Sequence, residues 1–172
     1  AILEAAEDQG LIQSVPRIER AANRPEKRGV LTIEEVRRLF DIEWSDFRAY
    51  TANLTAASTG LRMGELLALT LGEIGENYLV ITRSWDSRLH VANETTKTGR
   101  SRTVILPGKV QEEIGRLASA NPWGRPESFL FFGTLEDRPV DSAVLTRVLN
   151  NSMRKIGITA IDQKARNITF HS

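Results

Sequence analysis

Thr59-Gly60-Leu61-Arg62-Met63-Gly64-Glu65-Leu66-Leu67-Ala68-Leu69 decides how the rest of the chain is read, because one arginine and one glutamate stand among residues otherwise small or apolar. A glycine just before an apolar-periodic run breaks one helix and starts another. Arg62 then lies in the first turn of the second helix, beside backbone N–H groups that favour anions. Glu65, three positions on, shares its face and is within reach of the arginine. Two readings stand open on this stretch alone: Arg62 holds a phosphate, or Arg62 and Glu65 form an ordinary ion pair on a solvated helix face.

Working outward toward the N-terminus, a helix from about Ser45 to Ser58 carries Phe47, Tyr50, Leu54 and Ala57 on one side and meets the Thr59-Gly60 break. Before it, Thr32 opens a helix with a capping box, since Glu35 follows three residues later, and Ile33, Val36, Leu39 and Phe40 form its apolar stripe up to about Ile42. With the helix that starts near Met63 and buries Leu66, Leu67 and Leu69, these make one expected packed layer. Upstream, Ser14 to Gly29 carries Arg17, Arg20, Arg24, Lys27 and Arg28, is broken by Pro16 and Pro25, and reads as a basic linker. Ala1 to Gln9 reads as the end of a helix closed by Gly10.

Toward the C-terminus the period changes from helical to alternating. Residues 77–83, 88–95 and 101–106 predict three short strands, separated by turns at Ser84-Trp85-Asp86-Ser87 and Thr96-Lys97-Thr98-Gly99-Arg100, hence an antiparallel meander. Pro107-Gly108 closes it. A helix over 109–119 turns Val110, Ile114 and Leu117 inward, and Asn121 to Glu127 is a loop. Phe129 to Phe132 is an apolar run whose type periodicity does not settle. Asp141 caps a helix holding Val144, Leu145, Val148, Leu149, Met153 and Ile156, ended by Gly157. The fold class expected is α+β, mainly helical with a small three-stranded antiparallel sheet.

Bulk numbers narrow the chemistry. The chain has 172 residues, 41% hydrophobic and 26% charged, which suits one globular domain with an appendage. It has no cysteine, which removes disulfides and thiolate chemistry, and only two histidines, which argues against a multi-histidine metal site. No apolar run is long enough to span a membrane, so no membrane partner is expected, and the location expected is the cytoplasm. The formal net charge is +1, so a nucleic-acid partner has to be argued from where basic residues cluster. Such a cluster occurs at Glu94-Thr95-Thr96-Lys97-Thr98-Gly99-Arg100-Ser101-Arg102, where hydroxyls and cations of the kind that meet phosphate surround Lys97.

Four stretches, "LTIEEVRRLF", "AASTGLRMGELLALTLGEI", "TKTGRSRTVILP" and "ITFHS", together resemble the tyrosine recombinases, or phage integrases. They look like that family's opening helix, first arginine motif, hairpin lysine and the start of its His-x-x-Arg motif, in the family's order, over Leu31 to Ser172. The resemblance implies a reaction in which a tyrosine attacks a DNA phosphodiester, forming a 3′-phosphotyrosine bond that a 5′-hydroxyl later resolves, without metal, cofactor or nucleotide energy. Arg62, Lys97 and His171 are the catalytic residues it implies, and Glu65 a supporting one that orients Arg62. Arg24, Lys27, Arg28, Arg100 and Arg102 are the implied DNA-binding cations.

The resemblance also implies a domain plan. Residues 1–29 are the end of a preceding core-binding domain plus the interdomain linker, and residues 30–172 are the N-terminal part of the catalytic domain. The family's second arginine and its nucleophilic tyrosine belong after His171, and neither Tyr50 nor Tyr78 is assigned as nucleophile. The chain is therefore expected to be a fragment, inactive and monomeric alone, of a protein that works as a tetramer on duplex DNA at an attachment site, in a mobile element or prophage of a bacterium. Two alternatives stay open: a non-enzymatic DNA-binding or regulatory module with the same fold, and a type IB topoisomerase-like enzyme.

Overall fold

A computed structural model describes residues 2–14, 28–93 and 101–170. Its burial centres on α3 (Phe47–Thr59), which packs against both α5 (Gly108–Ser119) and α6 (Ser142–Lys155). Small residues make this double contact feasible, since Ala49, Ala52, Thr51 and Thr55 are fully buried and let the neighbouring helices approach. Two of the polar side chains on that face turn back onto their own helix. Thr55 Oγ1 donates to the Thr51 carbonyl at 2.7 Å and Asn53 Nδ2 to the Ala49 carbonyl at 2.8 Å. The single apolar side expected for this helix is thus replaced by a broader buried face, and Ala57 is exposed. A helix flanked on two sides hides polar residues that a hydropathy stripe assigns to solvent.

Helix α2 (Ile33–Asp41) starts at the expected capping box, with Glu35 N donating to Thr32 Oγ1 at 3.2 Å and Thr32 N to Glu35 Oε2 at 2.8 Å. Its end is held by an aromatic cluster in which Phe40 stacks on Trp44 and Tyr50 meets both edge-on. Tyr50 is a packing residue, as expected. Asp46 caps α3 by accepting from Arg48 N and Ala49 N. At the other end Gly60 adopts the left-handed conformation (φ 69°, ψ 19°) that closes the helix at the expected break.

The mixed α/β architecture holds, and the strand pairing differs from a plain meander. Among the described residues, β1 (Tyr78–Ile81) pairs antiparallel with β4 (Arg102–Ile105), Ile81 opposite Arg102, while β2 (Ser84–Asp86) pairs with β3 (Val91–Asn93). The stretch expected to turn at 84–87 is therefore mostly strand. Trp85 explains the shift, because its ring is buried edge-on against Phe129 at 5.3 Å and holds its polar neighbours extended. The turn moves to 87–90, where the Asp86 carboxylate accepts from Arg88 N and Leu89 N and His90 takes φ 54°. The turn at 96–100 lies outside the described residues.

After α4 (Met63–Ala68) the chain makes a 3₁₀ turn, Leu71–Glu73. It bonds there to the apolar run at 129–132, with Leu130 N donating to the Leu69 carbonyl at 2.9 Å and Leu71 N to the Ser128 carbonyl at 3.0 Å. That run bends between two isolated bridges, Phe129 to Thr70 and Phe132 to Pro139, with Leu130 and Phe131 fully buried. Helices α5 and α6 follow the expected bounds, and Leu145 and Met153 are buried as expected.

Two short helices lie nearer the ends of the chain: α1 (Ile2–Asp8), closed by Gly10 as expected, and α7 (Ala160–Ala165), which has no buried residue and so gave no apolar signal. Beyond α7 the chain is clasped to residues 29–35. Gly29 N donates to the Asn167 carbonyl at 3.2 Å, and the Arg166 guanidinium bonds the Glu35 carboxylate at 2.6 and 2.8 Å and the Val30 carbonyl at 3.1 Å. No helix among the described residues is long and apolar enough to cross a membrane.

Candidate functional site

Arg62 stands one residue before α4, as its N-cap, rather than within the first turn as the sequence suggested. The reason is local: Gly60 ends α3 and Leu61 is buried, so two residues have to reposition the chain before α4 can begin. Arginine offers no acceptor, and the capping is done in the other direction, with Glu65 Oε2 accepting from Arg62 N at 3.0 Å. This N–H is thus already taken by a carboxylate. The cationic character of the site belongs to the Arg62 side chain, which is 52% exposed.

Glu65 itself is buried, with its side chain 2% exposed. A carboxylate so placed requires partners. It has two arginines. Arg62 Nη1 approaches Oε1 at 3.3 Å, and Arg102, from the first position of β4, lies across both oxygens with Nη1 to Oε1 at 2.9 Å and Nη2 to Oε2 at 2.8 Å. The fork-to-fork contact is the stronger of the two, because two parallel charge-assisted bonds act together. The Arg102 hydrogen bonds hold the Glu65 pKa down to about 2 against the opposing effect of burial, with the Arg62 N–H and the charges of both arginines adding to them. Arg102 is in turn pushed up by the same bonds. Two guanidiniums and one carboxylate leave one net positive charge, and the loosely paired Arg62 presents it, its Nε and Nη2 making no hydrogen bond among the described residues.

Gly64 lets α4 sit this close to the strands. A Cβ at that position would lie 2.5 Å from Ser84 Oγ and 3.0 Å from the Trp85 carbonyl oxygen. From the sequence Glu65 is expected to orient Arg62 alone and Arg102 to meet DNA. Here Arg102 is bonded to Glu65, a partnership between residues 37 positions apart that no local pattern announces. The only signal was an acidic residue inside an apolar helix, which needed more positive charge than one exposed arginine supplies.

Of the other expected site residues, Arg28 is exposed at the edge of the clasp. Arg24, Lys27, Lys97, Arg100 and His171 lie outside the described residues. The segment leading to His171 is anchored by Ile168, which is buried and whose N–H donates to the Gln163 carbonyl at 2.9 Å. Tyr78 is in β1 opposite Ile105 and Tyr50 sits in the aromatic cluster. Among the described residues no three Asp, Glu or His side chains gather where they could hold a metal ion.

Comparison with known proteins places the fold. The integrase of transposon Tn1549, solved in complex with a circular intermediate DNA, superposes with a TM-score of 0.73 at 16% identity, over 98% of this chain and 58% of that one. A lambda integrase tetramer bound to a Holliday junction gives 0.64 at 20% identity, over 91% and 44%. The XerA recombinase gives 0.56 at 22%, over 84% and 47%. The chain thus spans little more than half the length of the Tn1549 protein. Comparison with curated protein sequences gives no significant match. The profile described as "Phage integrase family" matches residues 29–172, nearly the whole chain, and with the shared fold it establishes that this chain belongs to the phage integrase family of tyrosine recombinases.

Proposed function

We propose that the protein carrying this chain is a site-specific recombinase that cuts and rejoins duplex DNA through a 3′-phosphotyrosine intermediate, and that Arg62 holds the scissile phosphate. The observation that supports this reading is the exposed Arg62 guanidinium, aimed by a buried carboxylate that is itself neutralised by Arg102. In the transition state charge builds on the nonbridging phosphate oxygens, and a permanently charged fork stabilises it at no cost in proton bookkeeping. A tyrosine oxygen bonds to phosphorus, the bond from phosphorus to the 5′-oxygen breaks, and Lys97 Nζ delivers a proton to that leaving oxygen. His171 hydrogen-bonds the same phosphate or assists the proton on the tyrosine. Tyr50 and Tyr78 are not assigned as the attacking residue, which we place outside this chain.

In this reading residues 1–29 are the end of a DNA-clamping domain and a linker lying along the duplex, where Arg24, Lys27 and Arg28 meet phosphates, as does Arg100. The working assembly is four protomers on DNA, as the lambda integrase tetramer was solved on a Holliday junction. The test is covalent capture. The full-length protein is incubated with its attachment-site duplex, and the protein–DNA adduct is read on a denaturing gel. Arg62→Ala should lower adduct formation by about two to three orders of magnitude, the usual loss for one oxyanion-stabilising donor, with duplex affinity nearly kept. Salt-sensitive binding without any adduct from the unaltered protein would instead favour a non-enzymatic DNA-binding module.

A further inference from the structure

We propose that Arg83 holds a second phosphate of the duplex, about two to four nucleotides from the one at Arg62; this rests on the reading of Arg62 as the residue on the scissile phosphate. Helix α4 has a capping box at its start and another just past its end. At the start Glu65 Oε2 accepts from Arg62 N at 3.0 Å, and beyond the end Glu73 Oε2 accepts from Thr70 N at 2.9 Å. Each carboxylate has an arginine beside it. For Glu73 it is Arg83, whose Nη2 lies 3.6 Å from Oε2 and 3.4 Å from Thr70 Oγ1. The backbone around Arg83 is tied to the elements of the Arg62 site. Ile81, two residues before it, pairs with Arg102, and Ser84, one residue after it, packs on Gly64 of α4.

Glu73 has its hydrogen bonds without this arginine. Its Oε1 accepts from the Thr82 hydroxyl, and its Oε2 from Thr70 N and, at 3.1 Å, from Thr70 Oγ1. Neutral donors therefore occupy both oxygens, and Arg83 supplies charge without a close bond. Among the described residues the ion pairs of Arg48, Arg102, Arg116 and Arg166 close to 2.7, 2.8, 2.9 and 2.6 Å. Arg62 and Arg83 stand off at 3.3 and 3.6 Å. Arg83 is 36% exposed, and its Nε and Nη1 make no hydrogen bond among the described residues. A pair that long and that exposed adds little to stability. The guanidinium is steered by a carboxylate and still has donors to give, which is the condition of Arg62.

The spacing sets which phosphate it meets. Helix α4, Met63–Ala68, has six residues and so is about 9 Å long. One strand of a duplex carries a charge about every 3.4 Å along its axis. Guanidiniums at the two ends of this helix therefore match phosphates about two to four nucleotides apart.

The test couples residue to phosphate. Single methylphosphonates, which remove the charge of one phosphate, are placed at the scissile position and at each of about four positions on either side of it, on both strands, a window set by the phosphate spacing. Duplex affinity of the full-length protein is measured for each. Arg83→Ala should weaken binding by about 10-fold, the worth of one charge-assisted contact, and lower the slope of log affinity against log salt by about one. At one position about two to four nucleotides from the scissile phosphate, the penalty that the unaltered protein suffers should vanish in Arg83→Ala, because the two changes remove the same contact. Arg83→Gln keeps an N–H donor for Thr70 Oγ1 and should behave alike, which covers the case in which Arg83→Ala fails to fold.

An unchanged salt slope, or methylphosphonate penalties in that window that the Arg83 variants leave intact, reduces Arg83 to a structural partner of Glu73 and overturns the inference. The same scan with Arg62→Gln tests the underlying reading. Loss of the penalty at the scissile position keeps Arg62 on that phosphate whatever Arg83 does, and a full penalty there removes the reading and the inference together.

Discussion

Replacing Glu65 with glutamine removes the charge at the centre of the Arg62–Glu65–Arg102 trio while keeping its shape, and the cost can be worked out. The folded carboxyl has a pKa of about 2 against an ordinary value of 4.5. Each unit is worth about 1.4 kcal/mol, which makes the ionised form's contribution at most about 3.4 kcal/mol. Both arginines are partly exposed, and solvent screens part of this, so about 2 to 3 kcal/mol is the expected loss in Glu65→Gln at neutral pH. The folded pKa is the lower one. The contribution is therefore complete above the unfolded value of 4.5 and disappears as pH falls toward 2. By pH 3 less than half of it should remain, roughly 1 kcal/mol. Urea unfolding of this chain and its variant, followed by circular dichroism at pH 7, 5, 4 and 3, gives the difference at each step. A difference below about 0.5 kcal/mol at pH 7, or one that does not shrink between pH 5 and pH 3, would refute the picture of a buried carboxylate held ionised by two guanidiniums.

Two further outcomes follow from the geometry. Gly64→Ala puts a methyl against Ser84 Oγ and the Trp85 carbonyl, so it should destabilise by about 1 to 3 kcal/mol through forced separation of α4 and β2, measured as a lower urea midpoint with an unchanged slope. Glu35→Gln breaks the Arg166 pair, where Glu35 is likewise held down to about 2, chiefly by its hydrogen bonds from Arg166. Because this pair is partly exposed, the loss should be only about 1 kcal/mol at pH 7, complete above pH 4.5 and fading as pH falls from there toward 2, in the same titration.

Local chemistry was legible in the sequence where it is settled within one turn of chain. The Thr32–Glu35 capping box, the Gly60 break, the Asp141 cap and the inward residues of α5 and α6 each depend on neighbours three or four positions apart, and each is found. What was not legible depends on partners far along the chain. Trp85 turns a polar stretch into a strand only because Phe129 covers it. The buried threonines of α3 look solvent-facing until helices on two sides enclose them. Arg102 looks like one more cation in a basic turn, and only the fold shows Glu65 beside it. The α7 helix buries nothing, so periodicity had nothing to register, although Thr159 and Asp162 form a capping pair of the same kind as Thr32 and Glu35.

The clasp between residues 29–35 and 166–167 has a consequence in polymer terms. Arg166 and Val30 are 136 positions apart. Closing so long a loop carries an entropic cost that grows only with the logarithm of its length, and the seam is held by the Gly29–Asn167 backbone bond together with the Arg166 bonds to Glu35 and the Val30 carbonyl. Once shut, it makes a ring of nearly the whole family domain. Fraying at Gly29 and fraying at Asn167 are then a single event rather than two.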